Sequence, residues 1–354
     1  MAASMEGRLN FIDWMKAVGM FLIVAGHVIG DPYSAFNQIA QPAYTKQLGV
    51  AFFVFITGWG LANSKNVSLY TLYSRLYLLF AYGLIFALLF MIVGFAFGPS
   101  LQLSNFLPLM FGANVFFDNF PANPTTWYIG TYLHLLLVWF FWLRHNPVTY
   151  KTLILGFIIE NAVRTALLFS GNIYIAYMLF PSWISIFLLG HYLSQKKDNL
   201  SLQRALAVFL VWLVVAIGWS ELMQHIVVGR EIPFRHLLGR EVWTLPLQSL
   251  FISFIYIVST LLFFHFARSL PASKLVQFFS RNTVVLFIIH VPIIFAFYPT
   301  FYAWIDGVEQ IYKQIALILI IYIGCAFVSE FLNQRLNLER WKMPLWRELE
   351  KRFL

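Results

Sequence analysis

The chain has 354 residues, 60% of them hydrophobic and only 11% charged, with a mean hydropathy of +0.74. That is too apolar for a soluble domain and indicates a polytopic membrane protein. The net charge of +9 is explained by basic loops on a cytoplasmic face rather than by nucleic-acid binding, and a single cysteine, Cys325, excludes intrachain disulfides, Cys-based zinc sites and a redox pair.

At about 20 apolar residues per span, the sequence predicts an all-α membrane protein of about ten transmembrane helices in one bundle. They fall near residues 9–29, 48–63, 75–97, 126–143, 150–169, 174–194, 205–223, 246–267, 283–304 and 314–334. No small-residue cleavage site follows the first run, which therefore reads as a retained helix. No internal repeat, low-complexity tract or linker divides residues 1–354, so a single domain is expected. An even number of spans places both termini on one side. Most of the 24 Lys and Arg residues fall in the loops and ends of that side, whereas the other side has only Lys46, Arg230, Arg235, Arg240 and Lys313. By the positive-inside rule both termini are cytoplasmic.

The first helix stands out because Asp13, Lys16 and His27 interrupt an apolar run. Ionisable groups in hydrocarbon cost several kcal/mol and normally face a protein interior or a water-filled cavity. The 11-residue step from Lys16 to His27 is close to three full turns, so the two share a face about 16 Å apart along the axis. A cation near one end of a pore and an imidazole deep inside it suit a long anionic substrate that reacts at its far tip. The plainer reading has Lys16 snorkelling to the membrane edge and His27 hydrogen-bonded within the bundle. Asp13, three residues before Lys16, reads as its (i, i+3) support.

Glu160 and Arg164 are placed to form an (i, i+4) ion pair inside the fifth helix, read as structural. Trp127, Tyr128 and the other aromatics near helix ends read as interface-belt residues. Two outer connections are longer than turns. Residues 99–125 contain four prolines and no Lys or Arg, while residues 221–245 are rich in Arg, Glu and His. Eight histidines occur, but none in H-E-x-x-H or a close pair, so no metal site is expected. Walker and G-x-G-x-x-G loops are absent, which disfavours ATP-driven transport and a Rossmann cofactor site.

Several stretches resemble the acyltransferase-3 family, bacterial integral-membrane O-acyltransferases. The run R-L-N-F-I-D-W-M-K…G-H over residues 8–27 is similar to the family's opening, in which Arg or Lys is followed after ten residues by His. F-F-V-F-I-T-G at 52–58 resembles its F-F-x-x-S-G run with Thr57 in place of Ser. T-W-Y-I at 126–129 resembles its Trp-aromatic helix start, and S-R-N-T-V-V-L-F-I-I-H-V-P at 280–292 its Asn-Ser/Thr…His-x-Pro helix. One departure concerns the R-x-x-x-R entering the third helix: Arg75 fits its second position, but Thr71 stands at the first, leaving Lys65 as the nearest substitute.

The resemblance implies an acyl-CoA donor, typically acetyl-CoA, entering from the cytoplasm as cosubstrate, with no permanently bound cofactor. Its acyl group would pass to a hydroxyl of a cell-envelope or exported glycan such as an exopolysaccharide, free or lipid-linked, at the bacterial inner membrane. His27 is then the catalytic residue, as general base or through an acyl-histidine. Lys16 and Arg75 bind the donor's phosphates, and His290 binds the acceptor or orients His27. Arg230, Arg235 and Arg240 are candidates for holding an acidic or pyrophosphate-linked acceptor, the alternative being a loop neutralised by its own glutamates. The rival function is a secondary transporter or permease of a small or lipid-linked solute, for which buried charges are equally expected. Such a fold tends to show inverted repeats and helices broken at matching positions, and neither is evident in the sequence.

Overall fold

The computed structural model describes residues 9–28, 45–64, 67–97, 108–109, 111–116, 127–196, 203–204, 206–211, 213–214, 245–304 and 307–353. Among these the regular structure is helical, without strands. The principal helices are α1 (Asn10–Val28), α2 (Thr45–Ala62), α3 (Leu69–Phe97), α4 (Trp127–Val138), α5 (Tyr150–Phe169), α6 (Ile173–Met178), α7 (Ile184–Gln195), α8 (Leu245–Ser269), α9 (Lys274–Arg281), α10 (Thr283–Trp304), α11 (Gln310–Leu336) and α12 (Glu339–Phe353).

Five helical stretches among the described residues are long and apolar enough to cross a membrane: Asn10–Val28, Leu69–Leu89, Tyr150–Phe169, Leu245–Ser269 and Ile311–Leu336. A sixth arises if the pair Lys274–Arg281 and Thr283–Ile294, bent by 70°, is one span. Gln47–Ala62 and Trp127–Leu143 are shorter apolar helices. The predicted run 174–194 is not one helix, because α6 ends at Met178 and a 3-10 turn, Phe180–Trp183, intervenes before α7. Pro181 lacks the N–H an uninterrupted helix would use there, which accounts for the break. Helices α9 and α12 also lie outside the predicted set; both carry charged residues that lower their apolar signal.

Helix α2 is central, packed between α1 on one side and α7 on the other. The α2–α7 crossing is close enough to exclude side chains. A Cβ at Gly58 would overlap the Phe187 carbonyl, and one at Gly190 would overlap the Phe55 carbonyl. In a bilayer, where apolar burial between helices adds little driving force, such close backbone approach provides the dispersion contact that holds helices together. The Gly that ends the 52–58 motif thus has a packing role, and the preceding Thr57 is left to face the interior.

A buried polar network joins α5, α7 and α8. Arg164 donates to Glu160 Oε1 (2.7 Å), the Ser253 hydroxyl (2.7 Å) and the Ser182 carbonyl (2.7 Å). Glu160 Oε2 accepts from the Ser185 backbone N–H, and Oε1 from Ser253 Oγ. Both side chains are almost fully buried, at 1% and 2% exposure. With each charge met by its counter-ion and several further hydrogen bonds, the pair is tolerable in a low-dielectric interior. This is the structural pairing predicted from its spacing.

Candidate functional site

Several helix ends meet at one end of the bundle. Trp14 Nε1–H on α1 donates to the Pro271 carbonyl just before α9, and the Ser280 hydroxyl donates to Asp13 Oδ1 at 2.6 Å. The Tyr77 hydroxyl on α3 donates to the Leu338 carbonyl between α11 and α12. The termini of α1, α3 and α10 therefore share an end with the C-terminus of α2. Between them lies a cavity of about 390 Å³, within the range usual for small-molecule sites.

Lys16 and Arg75 both line this cavity, together with Thr57, Tyr128, Tyr132 and Thr283. The structure thus brings together the two cations assigned from sequence to one ligand. The Arg75 guanidinium donates to the Ser64 hydroxyl (3.1 Å) and the Gly60 carbonyl (3.4 Å), and Tyr132 lines the same cavity. The Thr57 hydroxyl donates to the Phe53 carbonyl at 2.8 Å. Trp127 and Tyr128 do not form an exposed interface belt as expected. Both are buried, Trp127 among Tyr177 and Trp183, and Tyr128 against Phe287 on the cavity wall. Packing against α10 and the 3-10 turn overrides the usual preference of aromatics at helix ends.

Deeper in the cavity the wall includes Ile23 and Phe287. Ile23 is one helical turn before His27, and Phe287 is three residues before His290. The two imidazoles meet, with His290 Nε2 3.2 Å from His27 Nδ1 and ring centroids 5.0 Å apart. Backbone carbonyls define the tautomers, because a carbonyl only accepts. His290 Nδ1–H donates to the Phe287 and Leu286 carbonyls (2.8 and 3.2 Å), leaving its Nε2 as an acceptor in the neutral ring. His27 Nδ1 lies 2.9 Å from the Ile23 carbonyl, so it too carries hydrogen and shares it with His290 Nε2. In this state the basic lone pair of His27 is on Nε2.

The 280–283 stretch explains how His290 comes to this position. Helices α9 and α10 are separated at Asn282, the point of the 70° bend. The bend is held by a polar lattice. Arg281 binds Glu330 with two hydrogen bonds (3.1 and 2.9 Å), Asn282 Nδ2–H donates to Glu330 Oε2 (2.8 Å), and Asn333 donates to Asn282 Oδ1 (3.0 Å). Tyr82 on α3 donates in turn to Asn333 Oδ1 at 2.7 Å. The Ser280 hydroxyl donates to Asp13, so Asp13 links α1 to the bend. Glu330 was not picked out from sequence; its signal is an acidic residue within an otherwise apolar run. Ser64 was also missed, because nothing in local spacing connects it to Arg75.

No cluster of three or more His, Cys, Asp or Glu able to hold a metal occurs among the described residues. Arg230, Arg235 and Arg240, and Lys65, lie outside the described residues.

The family model for the acyltransferase-3 group, described as an acyltransferase domain, matches residues 9–330 of the chain. No curated protein and no solved structure matches it.

Proposed function

The chain belongs to the acyltransferase-3 family and is a membrane acyltransferase, and on that premise we propose that it transfers an acyl group, most simply acetyl, from cytoplasmic acyl-CoA to a hydroxyl of a cell-envelope or exported glycan. The observation that carries this reading is one cavity with Lys16 and Arg75 in its wall and, one turn beyond its deeper wall, the His27–His290 pair. CoA has phosphates at one end and the thioester at the tip of a long arm. Lys16 and His27, a cation and a base displaced along the same helix, with Arg75 of α3 beside the cation's end, match that separation of charge from reactivity.

In the proposed reaction His27 Nε2 takes the proton of the acceptor hydroxyl as its oxygen attacks the thioester carbonyl. The C–S bond breaks, the acyl group stays on the acceptor oxygen, and the His27 imidazolium returns the proton to the departing thiolate, giving ester and free CoA thiol. His290 assists from its Nε2, which accepts the His27 Nδ1–H hydrogen bond, fixes the ring and favours the imidazolium. The buried aspartate of a serine-protease triad acts on its histidine in the same way. Lys16 and Arg75 hold phosphate, with Ser64 orienting the guanidinium.

The topology that goes with this reading has ten spans and both termini cytoplasmic in the bacterial inner membrane, so that the cavity opens to the donor and His27 approaches the outer half. Arg230, Arg235 and Arg240 are then on the acceptor side. Measuring CoA-thiol release by purified protein, with and without envelope glycan, tests the proposal; no acetyl-CoA turnover under either condition would overturn it. Mass spectrometry of envelope glycans from cells with and without the protein identifies the acceptor.

A further inference from the structure

A second cavity, of about 320 Å³, lies at the same end of the bundle, among the C-terminal ends of α2, α4 and α7. Its polar lining comes from Ser64, Arg144, His145, Asn146, His191 and Gln195. The two cavities are neighbours: Gly60 lines the first and Leu61 the second, and Arg75, which lines the first, donates to Ser64, which lines the second. The chain builds the second cavity by ending α4 in a π-helical turn, Trp139–Leu143. Such turns are uncommon and recur at functional sites. Trp139 and Leu143 contribute to the apolar part of the lining together with Leu61, Ala62, Val67 and Pro147, and Arg144 follows Leu143.

Resting on the acyl-CoA reading above, we infer that this second cavity is the subsite for the nucleotide end of the donor, a nucleoside diphosphate bearing a 3′-phosphate. The chemistry divides accordingly. The first cavity is mostly aliphatic and aromatic and suits the arm and acyl group, with Lys16 and Arg75 as its cations. The second presents donors and acceptors for a base and ribose, and one guanidinium for a phosphate. Arg144 Nε–H donates to His145 Nε2 (2.7 Å) and its guanidinium lies over the Phe140 ring at 4.0 Å, which fixes the plane of the fork while its terminal nitrogens carry further donors. Gln195 Nε2–H lies 3.4 Å from His191 Nδ1, an arrangement that puts the His191 proton on Nε2 as another donor. Arg75, at the junction, meets the pyrophosphate between the two ends.

The test compares two donors that share the thioester and arm but differ in the nucleotide: acetyl-CoA and acetyl-pantetheine. In the intact protein in membrane vesicles, Arg144→Gln is expected to raise KM for acetyl-CoA about tenfold, as for loss of one charge-assisted contact, and to leave kinetics with acetyl-pantetheine unchanged. Acetyl-CoA lacking the 3′-phosphate should bind the unaltered protein as weakly as acetyl-CoA binds the variant. An equal effect of Arg144→Gln on both donors, or none on either, overturns the subsite. Because Arg144 also ends a helix, Arg144→Lys is included. It keeps the charge but lacks the fork, and is expected to recover acetyl-CoA KM only in part; recovery of KM with no response to 3′-phosphate removal would reduce Arg144 to a helix-end charge and also overturn the proposal. Failure of the acyl-CoA reading itself is distinct, since neither donor would then release thiol in the unaltered protein.

Discussion

His290 Nε2 accepts a hydrogen bond from His27 Nδ1 across 3.2 Å, joining helices that begin 273 residues apart in the chain, at Asn10 and Thr283. Because His290 Nδ1 is committed to backbone carbonyls, only Nε2 remains to serve His27. This gives the two histidines unequal roles. His27→Ala is expected to lower kcat by about 10²–10⁴-fold or more with normal membrane insertion. His290→Leu should lower kcat less and leave the donor KM unchanged. His290→Gln, whose amide oxygen can accept the same hydrogen bond, should recover part of that loss. Equal activities for the Leu and Gln variants would remove the hydrogen bond from the mechanism.

Lys16 and Arg75 line one cavity but stand away from the histidine pair, so they are expected to act through binding. Lys16→Ala and Arg75→Ala should each raise KM for acetyl-CoA, with a smaller effect on kcat. Ser64→Ala should reproduce part of the Arg75 effect because it loosens the guanidinium. Steady-state thiol release at varied acetyl-CoA decides this, and an unchanged KM in both Lys16→Ala and Arg75→Ala would place the donor elsewhere.

How much of this was legible in the sequence depended on distance along the chain. The Lys16–His27 relation lies on a single helix, and the 3.6-residue period alone gives it. The bounds of α5 and α10 likewise follow from apolar runs with clear limits, and the structure has them at Tyr150–Phe169 and Thr283–Trp304. Contacts such as His27–His290, Ser280–Asp13 and Arg281–Glu330 require knowing which helices pack together, which periodicity does not encode. Apolar runs also conceal breaks. The Phe180–Trp183 turn contains Pro181 and Ser182 but is only four residues long between the apolar helices Ile173–Met178 and Ile184–Gln195, so a window sized to a bilayer passes over it. Helix α9 shows the reverse, with too few apolar residues to be seen as part of a bent span.

The bend at Asn282 should matter to catalysis although Glu330 and Asn333 line neither of the two cavities. Glu330→Ala removes the acceptor for both Arg281 and Asn282 and is expected to release α10, lowering kcat by misplacing His290. Glu330→Gln keeps one acceptor and should be milder. A kcat unchanged in Glu330→Ala would show that packing alone fixes the bend.

Arg230, Arg235 and Arg240 bear on the acceptor rather than the donor in the proposed topology. Replacing all three with Gln should reduce transfer to the natural glycan while sparing slow acetyl-CoA hydrolysis, and added salt should mimic the variant by screening. Equal loss of hydrolysis and transfer would instead assign the loop to holding the bundle together.

Glu160 and Arg164 give a prediction on stability that is independent of the reaction. Each charge is buried and met by the other together with Ser253, Ser182 or Ser185 groups. Arg164→Met would leave a carboxylate in a low-dielectric interior without its counter-ion, at a cost of about 3–5 kcal/mol. Glu160→Met should cost a similar amount by stranding the guanidinium. Replacing both removes the charges together, and since the desolvation of a buried pair offsets much of its attraction, the double variant is expected to be more stable than either single one. The remaining cost comes from Ser249, Ser253 and Asn161, which hydrogen-bond within the same network. Thermal unfolding of the four proteins in detergent measures the cycle, and a double variant no more stable than the singles would mean that the pair's contacts to Ser182 and Ser185, rather than its charge balance, hold α5 against α7.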